Sequence, residues 1–140
     1  MKFCKSITRN DAKIFVTNGN SILISNLDGT STRALRQSRA MQRLSGLDFH
    51  NQTGRIYWAD TESKVIYSAY ENGSNIVRII TSGIDMVESI AVDWIGENLY
   101  WTDYVLQHIE VSKLDGSRRK IFMNVSIKIE YLYICFNVLI

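Results

Sequence analysis

Short apolar runs, each closed by polar or turn-forming residues, recur along this chain at a fixed spacing. Two of them, at 55–60 (Arg-Ile-Tyr-Trp-Ala-Asp) and 98–103 (Asn-Leu-Tyr-Trp-Thr-Asp), share a Tyr-Trp pair and end on an aspartate. The two Tyr-Trp pairs are 43 residues apart, as are Asp60 and Asp103. A sequence repeat of about 40–45 residues is typical of the blades of a β-propeller.

A glycine turn follows each Tyr-Trp run. Gly73 and Gly116 lie thirteen residues after Asp60 and Asp103, within Asn-Gly-Ser and Asp-Gly-Ser. Gly29 lies 44 residues before Gly73 and follows a weaker copy of the run, Ile-Phe-Val-Thr-Asn at 14–18. Asn-Gly and Asp-Gly between apolar runs favour a tight hairpin, because both residues tolerate positive φ.

Each full repeat contains four runs that predict strands: an acid-aromatic run (44–49 and 89–94), the Tyr-Trp run, and one run on either side of the glycine turn. Strands at this spacing with turns between them predict an all-β fold. Side chains alternate faces along a strand, so Tyr100 and Trp101 point to opposite faces and both faces need cover. Packing between two neighbouring blades supplies that cover.

Residues that recur in every repeat suit an architectural role better than a unique site. We expect Asp60 and Asp103, at strand ends, to be satisfied by backbone N–H groups, and we interpret Asp48 and Asp93 as a further recurring pair. The structural repeat motif comprises Tyr57, Trp58, Asp60, Gly73, Tyr100, Trp101, Thr102, Asp103 and Gly116.

Composition narrows the class of protein. A hydrophobic fraction of 46% indicates a globular chain, and a net charge of +2 is too balanced for a nucleic-acid or acidic-lipid surface. Two cysteines, Cys4 and Cys135, are too few for a disulfide framework or a metal site. We expect no signal peptide and no transmembrane segment in this chain, because its apolar runs are too short or interrupted by charges.

The Tyr-Trp-Ala-Asp and Tyr-Trp-Thr-Asp motifs, with their glycine turns, resemble the low-density lipoprotein receptor class B (YWTD) repeat, and most closely the megalin-like receptor-related proteins. The resemblance covers about 13–122. It implies a partial six-bladed β-propeller of four-stranded antiparallel sheets, with about two and a half blades in an open arc. It also implies EGF-like modules beside the propeller, and Cys4 is similar to the last cysteine of such a module; a chance cysteine is the alternative.

The resemblance divides the chain into segments. Residues 1–12 are a linker with the end of an EGF-like module, and the repeats span 13–43 (partial), 44–86 and 87–122. Residues 123–140 form an apolar tail that carries no repeat position. We interpret this tail as sequence foreign to the family, and translated intron is one hypothesis for its origin.

The implied function is that of a non-enzymatic extracellular part of a plasma-membrane or endosomal receptor. It would contribute to ligand binding and release in receptor-mediated endocytosis, with extracellular proteins or neighbouring receptor modules as partners. We expect no catalytic residues, no metal and no cofactor, because no nucleophile elbow, P-loop or zinc motif is present. The alternatives are a truncated, inert gene-model or splice product and, more distantly, a calcium-dependent propeller hydrolase.

Two further residue classes bear on function. Asn51, Asn72 and Asn124 each begin an Asn-x-Ser/Thr sequon and are candidates for N-glycosylation. His50 and His108 are the two histidines. The family associates histidines at propeller interfaces with ligand release at acidic pH, but the sequence favours surface positions for both.

Overall fold

The computed structural model describes residues 2–6, 13–35 and 41–125, and for residues 2–6 it describes the backbone. These residues form an all-β fold of three four-stranded antiparallel sheets, and the described part contains no helix. Sheet 1 comprises β1 (Lys2–Ser6), β2 (Lys13–Asn18), β3 (Ser21–Asn26) and β4 (Arg33–Ala34). Sheet 2 comprises β5 (Leu44–His50), β6 (Arg55–Asp60), β7 (Val65–Tyr70) and β8 (Val77–Ile80). Sheet 3 comprises β9 (Val87–Asp93), β10 (Asn98–Asp103), β11 (His108–Lys113) and β12 (Lys120–Asn124).

The strands of each sheet follow one another in chain order, as the repeat predicts. The Tyr-Trp runs are the second strands of sheets 2 and 3, β6 and β10. Their pairing with the next strand has the same register in both sheets, since Trp58 lies opposite Tyr67 and Trp101 lies opposite Glu110. The prediction of four strands per repeat is confirmed for both full repeats.

Sheet 1 differs from the expected half blade. Its first strand, β1, comes from the stretch interpreted as a linker, and it pairs with β2 so that Cys4 lies opposite Phe15. Backbone N–H and C=O groups make this ladder, so no apolar alternation is needed to form it. The chain therefore contributes three four-stranded sheets rather than two and a half. At the other end, β12 extends two residues beyond Phe122, to Asn124.

The acid-aromatic runs do not align as the sequence suggested. Asp48 lies opposite Tyr57, whereas Asp93 lies opposite Asn98. The residue of sheet 3 equivalent to Asp48 is therefore Ala91, and the two aspartates are not a recurring pair. Asp48 and Asp93 are 45 residues apart, two more than the 43-residue repeat, so their spacing in the sequence already indicates that they are not equivalent.

Tyr57 and Trp58 point to opposite faces of sheet 2, as predicted. Trp58 is fully buried in a core formed with Phe15 and Ile22 of sheet 1, and Tyr57 lies in a second core with Trp101 and Leu99 of sheet 3. We call the two faces of each sheet the Tyr face (Phe15, Tyr57 and Tyr100) and the Trp face (Val16, Trp58 and Trp101). At both interfaces between sheets, the Tyr face of one sheet packs on the Trp face of the next.

Two glycines bring neighbouring sheets into close backbone contact. A Cβ at Gly46 of β5 would lie 2.8 Å from the backbone nitrogen of Ile90 in β9. A Cβ at Gly116 would lie 2.4 Å from the carbonyl oxygen of Ile79, so the turn of sheet 3 lies against the outer strand of sheet 2. Gly116 also has a φ of +85°, which favours glycine on its own account.

These contacts give a matched pair of substitutions. Gly29 occupies the same turn position in sheet 1 with a φ of +80°, but a Cβ there would meet nothing within 4 Å. We expect Gly29→Ala to cost about 1–2 kcal/mol through φ alone. Gly116→Ala should cost at least about 1 kcal/mol more, because the new methyl group overlaps Ile79. Urea unfolding of both variants measures the difference, and equal losses would contradict this account of the interface.

Candidate functional site

Asp60 and Asp103 hold the same set of backbone groups in sheets 2 and 3. The Oδ2 atom of Asp60 accepts the N–H of Gln42 at 2.6 Å, and Oδ1 accepts the N–H groups of Arg43, Glu62 and Ser63 at 2.9–3.3 Å. The Oδ2 atom of Asp103 likewise accepts the N–H of Asp85 at 2.6 Å, and its Oδ1 accepts those of Met86, Val105 and Leu106 at 3.0–3.2 Å. Both aspartates are almost fully buried.

Each aspartate joins two segments that are distant along the chain. It fixes the turn that directly follows its own strand, and it fixes the segment that leads into the first strand of the same sheet. The prediction that these acids are satisfied by backbone N–H groups is confirmed. Because each carboxylate accepts four backbone N–H groups, its oxygens serve to hold the backbone.

Thr102 is the member of the motif that differs between the copies, since Ala59 takes its place in sheet 2. Its side chain is fully buried, and its Oγ1 accepts the backbone N–H of Ser89 at 3.1 Å. This bond lies beside the irregularity in pairing at Thr102 and Asp103. The hydroxyl therefore satisfies a backbone donor near that irregularity.

The glycine turns share one hydrogen-bond pattern. In each turn, the residue before the glycine accepts, through its side-chain Oδ1, the backbone N–H of the residue after the glycine at 2.9 Å. Thr30 donates to Asp28, Ser74 donates to Asn72, and Ser117 donates to Asp115. The hydroxyl and backbone N–H of Thr30 lower the pKa of Asp28, and those of Ser117 lower the pKa of Asp115. Asn72 makes the same bonds as an amide, so the turn requires an acceptor and not a charge.

The core position beside the tryptophan differs between sheets 2 and 3. In sheet 2 the ring of Tyr67 stacks on Trp58, with 5.7 Å between centroids. In sheet 3 the equivalent residue is Glu110, which accepts two hydrogen bonds from the guanidinium of Arg119 at 2.5 and 2.7 Å. That guanidinium lies over the ring of Trp101 at 5.3 Å from its centroid.

Arg119 also links sheet 3 to the segment that enters it. Its guanidinium donates to the carbonyl oxygens of Ser82 and Gly83 at 2.6 and 2.7 Å. His108 adds a contact from its Nε2 to Glu110 at 2.9 Å. Within the described residues, the indole N–H of Trp101 has no hydrogen-bond partner, so the cation over its ring is its main polar contact. No repeat or motif in the sequence predicts this cluster.

The expected surface position of His50 is wrong. His50 is fully buried at the end of β5, and the N–H of Thr53 donates to its Nδ1 at 3.3 Å. Its Nε2 lies 3.2 Å from Oε1 of Glu97, in the turn that follows β9 of the next sheet. His108 is also largely buried, with 13% of its side chain exposed. His50 is the last residue of β5, and His108 is the first residue of β11.

Asp93 stabilises the turn between β9 and β10. Its Oδ1 accepts the N–H of Gly96 at 2.9 Å, and its Oδ2 accepts the side-chain N–H of Asn98 at 3.0 Å. Burial alone would raise the pKa of Asp93, but these hydrogen bonds outweigh burial and place the pKa below its ordinary value. Asp48 instead accepts the N–H of Val92 at 2.7 Å and so joins β5 to β9.

A groove of about 330 Å³ lies between sheets 2 and 3, at the edge where the glycine turns lie. Arg55 and Glu97 line it with Tyr57 and Asp115. Arg55 is held in place by Ser68 Oγ at 2.8 Å and by the carbonyl oxygen of Asn75 at 3.1 Å. Burial raises the pKa of Tyr57. Side chains of both charge signs, Arg55, Glu97 and Asp115, therefore line this groove.

The remaining candidate residues fall in different places. Asn51, Asn72 and Asn124 are exposed, the first two in turns and the third at the end of β12. Cys4 lies on β1, where the structure describes the backbone, and Cys135 lies outside the described residues. The described residues contain no group of His, Cys, Asp and Glu side chains that could hold a metal ion. Among them no helix has the length and apolarity to cross a membrane.

The family model for the low-density lipoprotein receptor repeat class B matches residues 54–94 and 97–128. The chain is 42% identical over 110 residues to low-density lipoprotein receptor-related protein 5 of Mus musculus, an alignment that covers 77% of this chain and 7% of the relative. It is 33% identical over 123 residues to low-density lipoprotein receptor-related protein 8 of Gallus gallus, covering 85% of this chain and 13% of the relative. The chain thus spans a small part of these relatives.

Two solved structures share the fold. The crystal structure of a nidogen/laminin complex superposes with a TM-score of 0.76 at 27% identity, over 82% of this chain and 45% of the matched chain. TolB from Agrobacterium tumefaciens superposes with a TM-score of 0.65 at 16% identity, over 81% of this chain and 45% of the matched chain. These matches confirm the β-propeller fold.

The segment that the family model matches ends at residue 128, six residues beyond the repeat boundary expected at Phe122.

Replacement of Asp103 by Asn tests the backbone clamp. An Asn amide nitrogen in place of Oδ2 would face the N–H of Asp85, donor against donor, so we expect Asp103→Asn to lower the free energy of unfolding by about 1–3 kcal/mol. Asp115→Asn is the control, because Asn72 already performs that role in sheet 2. It should lower the midpoint of urea unfolding much less than Asp103→Asn does. Equal behaviour of the two variants would contradict the assigned roles.

The lowered pKa of Asp93 predicts a pH dependence of stability. Its contribution is complete above the unfolded-state pKa of about 3.9 and is lost as the pH falls through the lower folded-state pKa. Urea midpoints of the wild type should therefore fall more than those of Asp93→Ala between about pH 6 and pH 2. A constant difference between the two proteins over that range would show that Asp93 does not contribute in this way.

Proposed function

Because this chain belongs to the family of low-density lipoprotein receptor class B repeats, we propose that it is part of the extracellular propeller of an endocytic receptor. In this role it binds no substrate and performs no chemistry. It contributes to the binding and release of extracellular protein ligands during receptor-mediated endocytosis, directly or by positioning neighbouring receptor modules.

The observation that carries this proposal is the repeated aspartate clamp within two matched family repeats. Asp60 and Asp103 make equivalent sets of four hydrogen bonds to the backbone. The same residues belong to the motifs that the family model matches. The relatives that share these repeats are named as receptor-related proteins, which supports a receptor role over an enzymatic one.

The geometry gives the hydrolase alternative no support. An enzyme of this type needs carboxylates whose oxygens are available to a metal ion or a substrate. The oxygens of Asp60 and Asp103 face backbone N–H groups, and those of Asp93 face Gly96 and Asn98. These three acids therefore serve turns and sheet junctions.

Protein ligands need an exposed surface, and the turn after β10 offers one that the other full repeat lacks. Tyr104, Val105 and Leu106 are exposed there by 36%, 49% and 43%. The N–H groups of Val105 and Leu106 bind Asp103, so this apolar turn is held in one conformation. Rigid apolar and aromatic side chains are suited to protein contacts, because little conformational entropy is lost on binding.

Uptake by living cells tests the proposal. An antibody against this chain, applied to intact cells that express its natural gene, should label the surface at low temperature and enter the cells on warming. Blocking clathrin should keep the label at the surface, while a control antibody against a resident surface protein should not enter. Labelling that requires permeabilised cells at every temperature would contradict the proposal and favour an inert product.

A further inference from the structure

Two of the three sequons lie at one edge of sheet 2. Asn51 is in the turn between β5 and β6, and Asn72 is in the glycine turn between β7 and β8. These two turns touch, because the N–H of Glu71 donates to the carbonyl oxygen of Gly54 at 3.1 Å. We call this the turn edge of the sheet, and we call the opposite edge, where Asp60 ends β6, the clamp edge.

The side chain of Asn72 uses its oxygen to hold the turn and leaves its nitrogen free. Its Oδ1 atom accepts the backbone N–H of Ser74 at 2.9 Å and the hydroxyl of Ser74 at 2.7 Å. Within the described residues its Nδ2 atom donates no hydrogen bond, and the side chain is exposed. The amide nitrogen is the atom to which an N-linked glycan is attached, so this atom is available without loss of the turn.

The other two sheets show that this turn needs no amide nitrogen. Sheet 1 has Asp28 and sheet 3 has Asp115 in the position of Asn72, and both accept the corresponding backbone N–H at 2.9 Å. An aspartate has an oxygen where an asparagine has Nδ2, so the turn does not depend on a donor at that point. A sugar on Nδ2 therefore replaces one hydrogen and leaves Oδ1 with both of its bonds.

The hydroxyl residue of the sequon also belongs to the turn. Ser74 has its counterpart in Thr30 of sheet 1, whose hydroxyl donates to Asp28 at 2.6 Å. Serine and threonine are the two residues that a sequon accepts at this position. The turn thus accommodates a complete sequon with no change in its hydrogen bonds.

The other two sequons do not have this support. Sheet 3 has Trp94 in the position of Asn51, and because Trp94 packs against the second core, the comparison does not isolate the amide nitrogen. Asn124 lies at the clamp edge, opposite His108, and Ser126 of its sequon lies outside the described residues. The comparison of repeats therefore selects Asn72.

The exposed apolar turn at 104–106 lies at the other edge, because it follows the clamp residue Asp103. A glycan is bulky and hydrated, and it keeps other proteins away from the surface beneath it. We propose that Asn72 carries an N-linked glycan, which covers the turn edge of sheet 2 and leaves the clamp edge to protein ligands. This inference rests on the proposed function, because the glycan is added in the secretory pathway.

The transfer is a substitution at a sugar carbon. Its donor is an oligosaccharide on a lipid diphosphate carrier. The Nδ2 atom of Asn72 attacks the anomeric carbon of the first sugar, a carbon–nitrogen bond forms, and the bond from that carbon to the diphosphate oxygen breaks. The lipid diphosphate leaves, and Nδ2 loses one proton. No oxidant or reductant takes part.

Peptide-N-glycosidase treatment of the natural protein, captured by antibody from whole cells, locates the glycan. The enzyme converts a glycosylated asparagine to aspartate, and heavy-oxygen water marks the new carboxylate. We expect the peptide that contains Asn72 to carry the mark after treatment and not before it. An unmarked Asn72 overturns the inference, and in a protein that labels at the cell surface it leaves the receptor role intact.

Three variants of the natural gene separate the sequon from the turn. Asn72→Asp removes the acceptor nitrogen but keeps the turn as Asp28 and Asp115 form it, so this variant should fold and lose one glycan in mass. Ser74→Ala should lose the same glycan. Ser74→Thr should retain it, since Thr30 takes this position in sheet 1. Equal masses of Asn72→Asp and Ser74→Thr would contradict glycosylation at this turn.

Amine labelling measures what the glycan covers. Lys13 lies at the turn edge, where its Nζ donates to Glu71 at 2.8 Å, next to Asn72. Lys64 lies at the clamp edge with 52% of its side chain exposed. A polymer-sized amine reagent should modify Lys13 more slowly in the wild type than in Asn72→Asp, and Lys64 equally in both.

A small amine reagent is the control for this measurement. It should modify Lys13 at the same rate in the wild type and in Asn72→Asp, because it passes between the sugars. Equal rates with the polymer-sized reagent as well would show that the turn edge is open to proteins, and would overturn the proposed division of the two edges.

Discussion

The constraint on which this structure depends is that each sheet needs cover on both faces. Strand alternation places Tyr57 on one face of β6 and Trp58 on the other, and both are buried because sheets 1 and 3 lie on either side. Burial of one large aromatic side chain contributes about 1.5–3 kcal/mol. A single sheet cannot obtain this on both faces, so the repeat unit is stable only in a stack. The arc is a consequence of this need for two neighbours.

The aspartate clamps convert that stack into a defined geometry. Apolar packing is not directional, so it does not by itself fix the angle between neighbouring sheets. Asp60 and Asp103 fix the segments through which the chain passes from one sheet to the next, and Arg119 fixes one of those segments a second time through Ser82 and Gly83. Gly116 then allows the turn of sheet 3 to approach Ile79. Directional bonds at the connections and apolar cores between them together set the curvature.

The sequence predicts the parts of this fold that depend on side-chain type. The Tyr-Trp strands, the glycine turns and the buried aspartates were all identified, because each requires particular residues at a fixed spacing. The strand β1 was missed, since a ladder at the edge of a sheet depends on the backbone. His50 was assigned to the surface because its burial depends on Glu97 and Thr53 folding over it. The Glu110–Arg119 pair occurs in one sheet, so no repeat marked it.

Residues that recur in every sheet carry the architecture, so the features that distinguish one sheet from another lie at positions where the sheets differ. Tyr67 and Glu110 occupy one position, and a stacked ring in sheet 2 is replaced by an ion pair over Trp101 in sheet 3. The turns after β6 and β10 are both held by an aspartate, yet the first displays Thr61, Glu62 and Ser63, and the second the apolar side chains of 104–106. Because the clamp fixes the backbone of these turns, their side chains can change without loss of the fold. The turns can thus vary blade by blade, while the repeated motif that identifies the family stays constant and holds the backbone.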